Sequence, residues 1–222
     1  MNPRAILFDL DDTLNDRQAT LKIFVEHFLQ EFAFKLEPIS FDNLLLEYQR
    51  VDAGGYRPRD QVHELLAKSL LWLEPMNPEI LLEFWYELFP KLSIPMPHAR
   101  ETLIALKTRG IKLGLVTNGK SKIQNRKVGT LGLRDFLDLI LTSEDISIKK
   151  PDPRIFEIAL KRLQLEASQV WMVGDHPVND VLGARGAGLT GVWFKNANHI
   201  WPNNFERSLE IKALPELLEL LA

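Results

Sequence analysis

Five short apolar runs punctuate this 222-residue chain: AILFDL at 5–10, KLGLVTN at 112–118, LDLILTS at 137–143, QVWMVGD at 169–175 and GVWFKN at 191–196. They are apolar on both faces, and helical patterns separate most of them. Such strands belong in a parallel sheet covered on two sides, since a sheet with one wet face would alternate. The helices are legible between them. In 97–110, Leu103 and Leu106 stand at helical spacing and Gly110 is placed to end the element. Asp152 followed by Pro153 reads as the cap and first residue of a helix over 153–163. LPELLELLA, 214–222, reads as a closing amphipathic helix.

The alternation breaks once. Some 80 residues after Leu14 hold no strand signal but three helical stripes. Over 20–32 the stripe is Leu21, Phe24, Val25, Phe28, Leu29 and Phe32. Over 61–73 it is Val62, Leu65, Leu66, Leu70 and Leu73, and over 78–89 it is Ile80, Leu81, Phe84, Trp85 and Leu88. We expect a core formed by 1–14 and 96–222 with an all-helical domain inserted at 15–95, the return running through the proline-rich SIPMPHA.

Polar residues gather where the strands end: Asp9, Asp11 and Thr13; Thr117, Asn118 and Gly119; Thr142 to Asp145, with Lys149 and Lys150 beyond; and Gly174, Asp175, Asn179 and Asp180. Ligands of an open parallel sheet sit outside those ends, so these residues converge on one rim. On an extended segment Asp9 and Asp11 project to the same side. Two charges ~4 Å apart repel by roughly 4 kcal/mol at an effective dielectric near 20, so the rim needs cations. Hard oxygen donors with few protein ligands suit Mg²⁺, and a lysine supplies further positive charge.

Composition narrows the classes. Net charge is −3 and pI about 6.0, which gives no reason to expect nucleic acid or an anionic membrane as partner. No apolar run approaches bilayer length, and acids follow the start too soon for a secretory signal; the expectation is a cytoplasmic protein. There are no cysteines, hence no disulfide and no thiolate nucleophile.

In order and position these residues resemble the haloacid dehalogenase superfamily, in its phosphatase branch with a helical cap. DLDDT at 9–13 resembles the first motif of that family, TNG at 117–119 the second, the lysine of KKPDPRIF at 149–156 the third and GDHPVND at 174–180 the fourth. The resemblance implies an α/β fold: a three-layer α/β/α, Rossmann-like core around a central parallel sheet, plus the inserted cap. It also implies roles. Asp9 is expected as nucleophile and Asp11 as general acid and base. Mg²⁺ is expected on the Asp9 and Asp175 carboxylates and the Asp11 main-chain carbonyl. Thr117, the Asn118 amide and Lys150 are expected on the phosphoryl group, with Asn179 and Asp180 orienting Lys150 and metal-bound water. The partner is then a small phosphorylated metabolite, such as a nucleotide or sugar phosphate. Asp11 favours phosphoryl transfer over dehalogenation, because a halide leaves without a proton. A phosphomutase and a catalytically silent binding protein are further readings.

In the insert, RVDAGGYRPRD (50–60) reads as a helix-breaking loop, and Tyr56 and Arg57 are expected to read the leaving group. His176 reads as a rim residue; His27, His63, His98 and His199 read as surface or packing. Of five tryptophans, Trp201 alone is placed to be exposed.

Overall fold

A computed structural model describes residues 2–196 and 199–221. It forms two compact units: Met1–Asp16 with Ile94–Ala222, and Arg17–Ser93 between them.

The first unit is built on six parallel strands: β1 (Ala5–Phe8), β2 (Lys112–Thr117), β3 (Leu139–Thr142), β4 (Val170–Gly174), β5 (Thr190–Phe194) and β6 (Leu209–Ile211), in the order β3-β2-β1-β4-β5-β6. β1 is central, with Ile6 opposite Leu113 on one side and Trp171 on the other. From β1 the chain builds outward through β2 and β3, then returns to build the other way, so the order reverses beside β1. Alternate residues of each strand feed opposite layers. Ile6 and Phe8 pack with Leu103, Leu106, Val128 and Leu217, while Ala5 and Leu7 pack with Ile155, Phe156, Ala159 and Ala184.

The second unit contains four helices, α1 (Arg17–Phe32), α2 (Phe41–Asp52), α3 (Arg59–Ser69) and α4 (Pro78–Leu88). Aromatic rings gather in its core: Phe24 lies 5.5 Å edge-on to Tyr48, 5.6 Å from Phe84 and 5.5 Å from Phe89. Asp52 is buried there between Arg17 (2.7 Å) and Arg59 (2.5 Å). The sheet unit adds α5 (Ala99–Thr108), α6 (Ser121–Thr130), α7 (Ser143–Ile146), α8 (Pro153–Leu163), α9 (Gly183–Gly186) and α10 (Glu216–Leu220). None of the described helices is long and apolar enough to cross a membrane.

Several expectations are corrected. The insert has four helices, not three. Residues 50–52 finish α2 and Arg59 opens α3, so the break is confined to 53–58. Leu73 and Ile80 are exposed (57% and 44%), because α3 stops at Ser69 and Ile80 faces away from the ring cluster. A sixth strand joins the five that were expected. The closing helix is only Glu216–Leu220. Trp201 is buried: its Nε1 donates to the Phe205 carbonyl and its ring lies 5.5 Å from Trp193.

Candidate active site

β1 ends at Phe8, and the next residue turns its carboxylate into a buried cluster. Lys150 Nζ donates to Asp9 Oδ1 at 2.6 Å and to the Val116 carbonyl at 2.7 Å. It also lies 2.7 Å from Asp180 Oδ1, out of hydrogen-bond alignment. Asn118 fixes the backbone that carries this lysine: its Oδ1 accepts from Lys150 N–H and its Nδ2 donates to the Lys150 carbonyl, both at 2.9 Å. Lys149 is exposed.

Asp180 lies in the π-helical turn Pro177–Leu182 and accepts from His176 N–H at 3.0 Å. It rests against Gly174, where any Cβ would overlap its carboxylate; the glycine is there for close approach. Asp175 is tied down from three sides. Its N–H donates to Thr13 Oγ1 (3.1 Å), its carbonyl accepts from Trp193 Nε1 (2.8 Å), and its Oδ2 lies 3.3 Å from both Asn196 Nδ2 and His199 Nε2.

Charge in this cluster does not balance. Oxygens of Asp9, Asp175 and Asp180 lie within 4.8 Å of one another, all three residues are buried, and the Lys150 ammonium reaches two of them, Asp9 and Asp180. Burial drives the Asp9 carboxyl well above the ordinary range; Lys150 opposes that, and Asp180 and Asp175 add to it. Asp180 is raised by burial too, against the pull of Lys150. Burial works against the Lys150 ammonium, but Asp180 and Asp9 more than reverse it, leaving the lysine firmly charged. Three hard oxygen donors with unanswered negative charge and no sulfur ligand fit a divalent cation of the oxygen-seeking kind.

Asp11 is held separately. Asp12 turns through the left-handed region (φ 58°), and Asp11 and Asn15 form an isolated bridge, so the strand alternation expected to set Asp9 beside Asp11 does not continue. Lys127 Nζ donates to both Asp11 oxygens, at 2.8 and 2.6 Å, and Asn15 Nδ2 donates to Oδ1 at 2.7 Å. Gln124 Nε2 reaches Asp11 Oδ2 at 3.3 Å and Thr117 Oγ1 at 2.7 Å. Asp9 and Asp11 thus meet different lysines, Lys150 and Lys127.

A sequence profile described as haloacid dehalogenase-like hydrolase matches residues 6–194. The chain belongs to that family. Glyceraldehyde 3-phosphate phosphatase of Pyrococcus furiosus is 31% identical over 229 residues, covering 98% of this chain and 92% of the relative. Ribulose-1,5-bisphosphate 5-phosphatase of Halopiger xanaduensis is 34% identical over 203 residues, 86% of this chain and 84% of the relative. Among solved structures, the HAD-hydrolase YfnB of Bacillus subtilis bound to magnesium has a TM-score of 0.83 at 24% identity, covering 100% of this chain and 99% of that one. At that identity the match shows the fold.

Within this HAD hydrolase the structure gathers Asp9, Lys150, Asp175 and Asp180 into one cluster and ties Thr117 to Asp11 through Gln124. Asp180, expected to orient Lys150, stands among the clustered carboxylates 2.7 Å from the Lys150 ammonium. Asn179 is half-buried, and its N–H donates to His176 Nδ1 at 3.1 Å. His176 is more than a rim residue: its ring caps the π-helical turn. His199, read as surface or packing, lies against Asp175, whose hydrogen bond raises its pKa against the effect of burial. Lys127, Gln124 and Asn15 were missed. Their signal was available for α6: Ile123, Gln124, Lys127 and Val128 share one buried stripe, and polar residues in such a stripe need partners. In the helical unit Tyr56 is exposed, while Arg57 donates to the Val51 carbonyl at 2.6 Å.

Proposed function

We propose that this HAD hydrolase is a Mg²⁺-dependent phosphatase of small phosphorylated metabolites, working through an aspartyl phosphate on Asp9. The buried cluster carries the reading: a carboxylate at the end of the central strand, gripped by a lysine and flanked by two more carboxylates. The relatives named for glyceraldehyde 3-phosphate and ribulose-1,5-bisphosphate support sugar phosphates as the substrate class.

Asp9 attacks phosphorus, and Asp11 gives a proton to the departing oxygen; splitting one hard displacement into two lowers each barrier. Lys150 neutralises the nucleophile and the approaching dianion, and Thr117 with the Asn118 amide holds the phosphoryl oxygens. Asp180 orients Lys150, and Thr13 ties the Asp175 strand end to the loop after β1. Asp9, Asp175 and the Asp11 carbonyl would hold Mg²⁺, which would supply Lewis-acid polarisation of the phosphoryl group. Asp11 also separates this reading from dehalogenation, since a departing halide needs no proton donor.

The test is p-nitrophenyl phosphate hydrolysis by the native protein and Asp9→Asn, with Mg²⁺ and after chelation. We expect phosphate release by the native protein with Mg²⁺, and a fall of at least about 10³-fold on losing either nucleophile or ion. Unchanged rates in the variant or without metal would remove the mechanism.

A further inference from the structure

Lys127 lies on α6 with its side chain 4% exposed, on the buried stripe of the helix. An unpaired ammonium there would cost several kcal/mol, so its partner is informative. That partner is Asp11, whose two oxygens receive Lys127 Nζ at 2.8 and 2.6 Å, Asn15 Nδ2 at 2.7 Å and Gln124 Nε2 at 3.3 Å. Each of these groups donates, and they come from two parts of the chain, the loop after β1 and α6. They aim the carboxylate as an acceptor and fix it from more than one side. Lys150 meanwhile serves Asp9 and Asp180. Two lysines do separate work for two acids that stand two residues apart.

We propose that Lys127 is a positioning residue for Asp11, holding its carboxylate where it takes a proton from the water that breaks down the aspartyl phosphate. The proposal rests on the phosphatase reading above and deepens it. In this half-reaction the water oxygen bonds to phosphorus and the bond from phosphorus to the Asp9 oxygen breaks. Asp9 departs as a carboxylate with the electron pair, and the water proton passes to Asp11. Lys127 acts through the Asp11 carboxylate and itself neither forms nor breaks a bond in this step. Gln124 joins the same holder to Thr117, so the group that grips the phosphoryl oxygens and the group that receives the proton are both held from α6.

The experiment uses the full chain with p-nitrophenyl phosphate, whose leaving group departs without proton help, and compares first-turnover with steady-state nitrophenolate release. Lys127→Met should keep a burst of about one nitrophenolate per enzyme. Its steady rate should fall by about 10- to 100-fold, part of the roughly 10²- to 10⁴-fold worth of a positioned base. Lys127→Arg should recover part of that loss, and Lys127→Met combined with Asp11→Asn should be no slower than Asp11→Asn alone. A burst slowed as much as the steady rate, a wild-type steady rate in Lys127→Met, or additive losses in the double variant would overturn the assignment. If Lys127→Met does not fold, Lys127→Arg carries the comparison: a slower steady rate behind an intact burst supports the assignment, and equal slowing contradicts it. Asp11→Asn turning over at the wild-type rate would overturn the prior reading of Asp11 itself, a result distinct from any failure of Lys127.

Discussion

His63 shows what burial does to a titratable side chain in this molecule. It is fully buried in the helical unit; its Nδ1 sits 2.6 Å from the Arg59 carbonyl and its ring 6.4 Å from Trp85. Desolvation, the largest influence, pulls its pKa down from 6.5 to about 4. The fold therefore holds the neutral ring. The unfolded chain takes up a proton below about pH 6.5, the folded chain only below about 4, so the stabilising contribution is complete above 6.5 and is lost as pH falls through that window. The difference is worth about 3 kcal/mol. Urea unfolding followed by tryptophan fluorescence at pH 7, 5.5 and 4 should show the native protein losing about that much more than His63→Phe. Parallel losses in the two proteins would contradict it.

Among the elements, legibility in the sequence followed how far a pattern repeats. The five strands first read were apolar runs, and each contributes a strand to the sheet. β6 was missed because LEI is three residues long and Leu209 is 41% exposed, leaving no run to detect. α2 was missed although Leu44, Tyr48 and Val51 stand at helical spacing and the Ser40 hydroxyl accepts from Asn43 N–H as its cap. Asp52, the buried partner of two arginines, masked that helix's apolar face. The polar strand ends were readable as a group, but Lys127 and Trp201 take partners 116 and 4 residues away that no local pattern reports. The short break between α2 and α3 carries Tyr56, 54% exposed. Tyr56→Ala should alter kcat/KM among a panel of sugar phosphates by about 10-fold while changing p-nitrophenyl phosphate turnover less than about 3-fold. Equal effects on all esters would remove Tyr56 from substrate recognition.

For the whole molecule, the carboxylates clustered at the end of β1 are where the proposed ion would offset negative charge. Asp9 follows β1, Asp175 and Asp180 follow β4, and Lys150 lies in the loop before α8, so the sheet unit must be folded before their charges meet. Binding the folded state alone stabilises by RT ln(1 + [L]/Kd), about 2.7 kcal/mol at 100 times Kd. Mg²⁺ should thus raise the melting temperature of the native protein in proportion to log concentration, and Asp175→Asn should abolish the rise. The same rise in the variant would place the ion elsewhere.

The proposed mechanism bonds Asp9 covalently to phosphorus. Acid-quenching the enzyme during turnover of a phosphate ester, followed by peptide mass analysis, would trap that bond. One added phosphoryl group is expected on the peptide bearing Asp9, and none in Asp9→Asn. Turnover with that peptide unmodified, or with the phosphoryl group on another residue, would contradict it.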